Sequence, residues 1–538
     1  MRLQFARSVP QDLTGFDLRG EAGIHYLHLK NGSGYPHGHG NGIAKKNDFE
    51  DRGAFRENAG IDPEQVIDLT HALDDQGQLN AELPEGDWRI LRIGYTFNGK
   101  YTHDSRNDPH MTVDKFAPSG VAVNYNNLLG RIVKMARSEG IEHQPMAIYS
   151  ESYESKTQNW TQRMPEEFQA RRGYSLKPYL PVLCGGHVIG SFDESERFLR
   201  DFRRTLADLM AENYMGERTR LAHKDGLRSY GDNGGAQQFM YDAVNYQKQV
   251  DVPIGEFWVQ SKREVEAEYP HYSIRQDIKN GSSAVHLYNE IVPEEQQIIG
   301  EAFTSYAHNM LGPLRMKVIA NAAFCRGLTT VSLHGTCLQP LDDSIKPGLM
   351  WGPYGPLDGM HTNTWWEHMD KLSAYYARCE ALLRSGRFVG DFAYYVGDDI
   401  PNTLPFRDKL PGNVPAGYDY DGCDTGAITN LFDVDATGNI VCPNGMSYRF
   451  LQLPSNQTMP LHVLQSIEKL VKAGATVVGP KPVRTPGLTG GMAESDQQLQ
   501  ALADKLWNAD QYGKGRVFEA ANFAEIEQKL GLEPDFKV

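Results

Sequence analysis

The sequence predicts an α/β protein centred on a parallel β/α barrel of the TIM type, and three observations predict it. Between residues 105 and 395, short apolar runs that read as strands alternate with stretches of helical periodicity. Several of those runs end in an acid: Pro145–Tyr149 leads into Ser150-Glu151-Ser152-Tyr153-Glu154, Val252-Pro253-Ile254-Gly255 into Glu256, and Ile298-Ile299-Gly300 into Glu301. Enough chain separates each run from the next for a crossover helix, and a barrel gathers its active site at the C-terminal ends of its strands.

Taken in order, residues 1–104 read as a β-rich N-terminal segment. Val66–Thr70, Gly77–Leu79 and Gly86–Tyr95 alternate apolar and polar residues with turn residues between them, the pattern of antiparallel strands. The Gly-His-Gly run around His37 and His39 reads as a surface loop rather than a metal site. Residues 105–395 form the predicted barrel domain. Helices are expected over 123–139, 166–171 and 196–223, the last with Phe198, Leu199, Phe202, Leu206 and Leu209 on one face. Strands are expected at 226–230, 252–257, 298–303, 328–334 and 391–396. Residues 396–538 read as a small doubly wound α/β domain: strand Phe450–Pro454, helix Pro460–Ala473 stopped by Gly474, then strand Ala475–Pro480. The loop after Val478 has neither a Gly-rich dinucleotide fingerprint nor a P-loop, so no nucleotide is assigned.

The bulk numbers exclude some partners. A formal charge of −15 over 538 residues argues against nucleic acid or an anionic membrane as the main partner. No apolar run reaches the length of a membrane span, and the N-terminus lacks the apolar core of a signal peptide. The six cysteines (Cys184, Cys325, Cys337, Cys379, Cys423, Cys442) form no Cys-x-x-Cys pair and no zinc spacing; Cys325 and Cys379 read as buried thiols.

Carboxylates beside aromatics at strand ends suggest sugar chemistry, in which acids move protons and rings stack on sugar faces. The candidates are Glu151, Glu154, Glu256 and Glu301, with Asp232 at the end of Leu227–Gly231, Trp160 and Trp258 as stacking platforms, and His334 at the end of Thr329–Leu333. Each has a plainer reading. Asp232 before Asn233-Gly234-Gly235 fits a turn former, Glu256 fits a strand-end ion pair, the two tryptophans fit core packing, and His334 fits a structural histidine.

These segments together resemble glycoside hydrolase family 106, the α-L-rhamnosidases, over roughly residues 60–538. The resemblance rests on Asp87–Arg92, Val113-Asp114-Lys115, Glu151–Glu154 with Gln158-Asn159-Trp160-Thr161, Arg171–Tyr174 and Arg197–Arg203. It continues in Gly255-Glu256-Phe257-Trp258, Gly300–Ser305 and Gly445–Tyr448. It implies an eight-stranded β/α barrel with accessory β domains, inversion at the anomeric carbon, calcium dependence with ligands unknown, a rhamnose-containing glycan as partner and a periplasmic or secreted location. It further implies Glu154 as general acid, Glu301 as general base and Glu256 as a sugar or metal contact. Inversion requires acid and base roughly 6.5–9.5 Å apart, and their roles could be exchanged. Glu151 with Tyr153 and Trp160 would favour a protonated Glu154.

The chain departs from the family's pattern where Glu151 replaces an Asp and Asp232 replaces a Glu. Against that pattern it also reads as short at both ends, lacking early barrel strands and a β-sandwich after Val538. Two alternatives stay open: a related barrel glycosidase acting on another sugar, such as a β-galactosidase-like enzyme, and a truncated carbohydrate-binding remnant without activity.

Overall fold

The computed structural model describes residues 60–95, 112–143, 145–150, 158–183, 187–232, 242–259, 277–305, 311–335, 338–346, 348–349 and 360–535. Glu151, Glu154, His37 and His39 lie outside the described residues.

Two parallel sheets organise the chain. The first comprises β1 (Ala147–Ser150), β2 (Arg228–Asp232), β3 (Val252–Val259), β4 (Ile299–Ser305) and β5 (Thr330–Leu333), hydrogen-bonded in that order and parallel throughout. Sequential parallel neighbours joined by helical crossovers give a curled half-barrel of the TIM type. The inner face of the sheet begins apolar: Tyr230, Val252, Ile254 and Ile299 pack together. The outer face packs on helices. Phe257, Ala302 and Phe303 join Ile278, Met316, Ile319 and Tyr376 in one buried cluster.

The glycines before Glu256 and Glu301 have a packing reason. A Cβ on Gly255 would come within 2.8 Å of the Ile278 backbone nitrogen, where the helix α2 (Asp277–Tyr288) begins. A Cβ on Gly300 would come within 2.6 Å of Leu328 and of Phe257. The outer face must be bare at these positions for helix and strand to close up.

The second sheet holds β6 (Phe392–Tyr395), β7 (Tyr420–Cys423), β8 (Phe450–Gln452), β9 (Thr476–Val478) and β10 (Arg516–Phe518) in the order β10-β9-β8-β6-β7, again all parallel. The strand expected at 391–396 belongs here: Phe392 pairs with Phe450 and with Tyr420, not with β5. All four of its residues are buried, so its apolar run fits either sheet and the sequence alone does not say which.

The long helix α1 (Phe192–Leu209) runs on through a π-helical turn, Met210–Gly216, into Glu217–Lys224. Ser191 caps its start by accepting from the Glu194 N–H. Its apolar residues Phe198, Phe202 and Leu206 are buried as expected, but so are Arg197 and Arg204 of its basic stripe, with Arg200 half-buried between them. Arg197 pairs with Asp496, Arg200 with Asp398 and Asp399, and Arg204 with Asp208, Asp242 and Asp398. The pairs with Asp398, Asp399 and Asp496 dock the helix against the second α/β unit, at the loop after β6 and at the helix Met492–Trp507.

The expected antiparallel strands over 66–98 are not formed in the described residues. Residues 60–95 contain a two-residue strand, Gly60–Ile61, parallel to Val188–Ile189, two short 3-10 turns and one bridge between Leu73 and Leu79. Trp88, Ile90, Ile93 and Tyr95 are exposed. Alternation makes a strand only where a partner strand and a buried face reward it, and among the described residues neither meets Gly86–Tyr95. Cys325, expected buried, is exposed at the end of the helix Pro313–Phe324.

Candidate active site

Along β3 the residues facing the half-barrel interior run Val252, Ile254, Glu256, Trp258; along β4 they run Ile299, then Glu301. The register places Ile254 opposite Ile299 and Glu256 opposite Glu301. The two glutamates therefore stand one step above the apolar inner layer, at the C-terminal end of the sheet. Asp232 ends the neighbouring β2, and its pairing with Ile254 sets it beside Glu256. Each of the three acids offers a carboxylate oxygen within 4.8 Å of the others, and all three residues are buried. Asp232 is only 1 % exposed.

Hydrogen bonds orient the glutamates. The Trp258 indole N–H donates to Glu256 Oε2 at 2.6 Å. The Thr304 hydroxyl donates to Glu301 Oε1 at 2.9 Å and also lies 2.6 Å from His334 Nδ1. His334 follows β5 directly, its N–H donating to the Ala302 carbonyl, and its Nδ1 is 3.4 Å from Glu301 Oε1. The structure thus brings Asp232, Glu256, Trp258, Glu301 and His334 together. Trp160 packs elsewhere, between Tyr95 and Phe202 on the edge of the α1 core.

The segment carrying Glu151 and Glu154 is anchored on either side. Before it, β1 pairs with β2 as far as Ser150 opposite Gly231. After it, Asp114 accepts from the Gln158 amide, the Thr161 hydroxyl at 2.6 Å and the Phe116 N–H. The Lys115 backbone N–H donates to the Gln158 side-chain Oε1. Two motifs some forty residues apart in sequence are therefore one hydrogen-bonded knot.

Carboxylates held this close repel one another when charged. The arrangement suits a hard cation, because oxygen ligands about 2.4 Å from calcium lie up to roughly 4.8 Å apart across it. It also suits glycosidic chemistry, which needs carboxylates held in fixed positions at the sugar.

Across residues 39–538 the sequence matches the glycoside hydrolase 106 family, alpha-L-rhamnosidase. The chain belongs to this family. The structure of a rhamnosidase from Novosphingobium sp. PP1Y superposes with a TM-score of 0.77 at 30% identity, covering 89% of this chain and 46% of that one. A Formosa agariphila protein named "Putative beta-glucuronidase" is 34% identical over 482 residues, 89% of this chain and 38% of its own. The glycoside hydrolase 106 chain described here thus spans less than half the length of both relatives.

One residue of the site escaped sequence reasoning. Thr304 lies inside the Gly300–Ser305 motif, yet simple alternation from Glu301 puts it on the outer face. It reaches the interior only because Phe303 is an extra residue: Phe257 pairs with Ala302, Trp258 with Thr304, and Phe303 has φ 71°. An aromatic residue in the left-handed region is not written in the sequence; a glycine there would have been a signal.

Proposed function

We propose that this chain carries the catalytic centre of a glycoside hydrolase that removes terminal α-L-rhamnosyl residues from oligosaccharides or glycosides with inversion. The observation that carries the reading is the buried carboxylate cluster on the C-terminal ends of three consecutive parallel strands in a member of the α-L-rhamnosidase family. In this reading Glu301 is the general base and Glu154 the general acid. Trp258 and His334 line the sugar site beside Glu256, with Glu151 as a further substrate contact. Asp232 and Glu256 hold a calcium ion alongside Glu301; the ion, when bound, supplies positive charge that offsets the cluster and favours sugar hydroxyl oxygens. The fold in full is a (β/α)8 barrel followed by a doubly wound α/β domain that begins near β6. The family resemblance supports a periplasmic or secreted location, which fractionation of the native host would test.

The test is release of 4-nitrophenol from 4-nitrophenyl α-L-rhamnopyranoside, with the anomer of the first product read by proton NMR. Turnover giving the β-anomer first supports an inverting rhamnosidase; the α-anomer first overturns inversion. The name of the Formosa relative puts 4-nitrophenyl β-D-glucuronide on the same panel. Turnover of that substrate alone would move the reading to another sugar.

A further inference from the structure

The bulge at Phe303 does more than shorten a ladder. It sends two consecutive side chains, Ala302 and Phe303, into the helix-facing cluster, where the Phe303 ring meets Phe257 edge-on at 5.2 Å. It thereby turns Thr304, 1 % exposed, inward next to Glu301. A hydroxyl has one proton to give. If Thr304 donates it to Glu301 Oε1 at 2.9 Å, the 2.6 Å contact to His334 Nδ1 must be an N–H donated to the Thr304 oxygen. That N–H also has Glu301 Oε1 within 3.4 Å. The reverse assignment, Thr304 donating to a bare Nδ1, would turn lone pairs of both the hydroxyl and the ring nitrogen toward the Glu301 carboxylate.

We propose that Thr304 is a positioning residue: its hydroxyl, brought inward by the Phe303 bulge, fixes the Glu301 carboxylate and holds His334 in the Nδ1–H tautomer. A neutral ring held this way carries its lone pair on Nε2, which suits a hydroxyl donor such as a sugar O–H. The inference rests on the rhamnosidase reading for the role of Glu301, but its geometry is independent of that reading.

The test uses the full chain with Thr304→Val, which removes the hydroxyl at nearly constant shape, and Thr304→Ser, which restores it. The catalytic arm measures kcat and KM separately on 4-nitrophenyl α-L-rhamnopyranoside. The second arm records imidazole nitrogen shifts in histidine-labelled protein, with the His334 signal identified by its loss in His334→Gln. Thr304→Val should lower kcat by roughly 10- to 100-fold with KM little changed, the scale of a misoriented catalytic group, and Thr304→Ser should recover most of the loss. The parent should show a protonated Nδ1 and bare Nε2 at His334, a signature weakened in the Val variant and kept in Ser. Parent-like kcat in a folded Val variant, failure of Ser to rescue, or an Nε2–H tautomer in the parent would each overturn the proposal. A parent without turnover would count against the rhamnosidase reading alone, because the nitrogen shifts still decide the Thr304 geometry.

Discussion

Glu256 and Glu301 stand directly opposite each other on adjacent parallel strands, both buried, with Asp232 completing the cluster from the next strand. Like charges in register repel, and burial removes the water that would screen them. A bound cation or other partners of the cluster can offset that repulsion.

These alternatives separate in Glu256→Gln. With EDTA the substitution relieves repulsion, and the melting temperature should rise by a few degrees, the scale of about 1 kcal/mol. With calcium, the parent should gain stability that the variant gains only at roughly tenfold or higher calcium, because one charged oxygen ligand is gone. Thermal melts across a calcium titration check both halves. An identical calcium response in parent and variant would remove Glu256 from the ligand set.

The α1 arginines hold the two α/β units together through buried charge. Burial pushes the Asp242 carboxyl up to about 6, with Arg204 opposing the rise. Burial alone would raise Asp398 too, but Arg200 and Arg204 hold it down at about 2. Arg204→Met removes the ion-pair partner of Asp242 and one of two arginines from Asp208 and Asp398, which keep Arg172 and Arg200, and should destabilise by about 3–5 kcal/mol, the cost of breaking a buried pair from one side. Urea unfolding at pH 7 measures it. Asp398 has a folded pKa below its unfolded value of 3.8, so its contribution is present above pH 3.8 and fades as pH falls toward 2. Asp398→Asn should therefore cost stability at pH 7 and cost little at pH 2.

Lys115 predicts a rise of stability with pH in the alkaline range, from a buried charge that costs stability. Burial lowers its amine to about 8; Asp114 counters this and Arg218 adds to it. The folded pKa lies below the unfolded 10.5, so between pH 8 and 10.5 the unfolded chain binds more protons and stability rises with pH. The full effect is on the order of 3 kcal/mol for about 2.5 pH units. Lys115→Met should be as stable as the parent or more so at pH 7, and the gap should close by pH 10.5. A parent-to-variant gap independent of pH would contradict this.

Much of the site was legible in the sequence because its signals are local. Gly255-Glu256 and Gly300-Glu301 each pair a bare outer face, under helix α2 at Gly255 and under Leu328 and Phe257 at Gly300, with an acid on the inner one. The parts that were not legible depend on distant partners. The alternation in Gly86–Tyr95 meets no neighbouring strand among the described residues and is irregular there. The α1 stripe of Arg197, Arg200 and Arg204 reads as a solvated face until Asp398 and Asp496, some two to three hundred residues later, cover it. The strand Phe392–Tyr395, apolar on both faces, names no sheet. Thr304 depends on a single extra residue in β4, and no period of two could place it.

The measurement that bears most directly on the central claim is turnover of 4-nitrophenyl α-L-rhamnopyranoside by the parent and by Glu301→Gln, in calcium-containing buffer and with both proteins shown folded. The account predicts that the parent releases 4-nitrophenol and that Glu301→Gln loses on the order of 100-fold or more in kcat, the scale of a lost general base. A folded parent inert on this substrate and on other glycosides, or a Glu301→Gln variant with parental kcat, would contradict it.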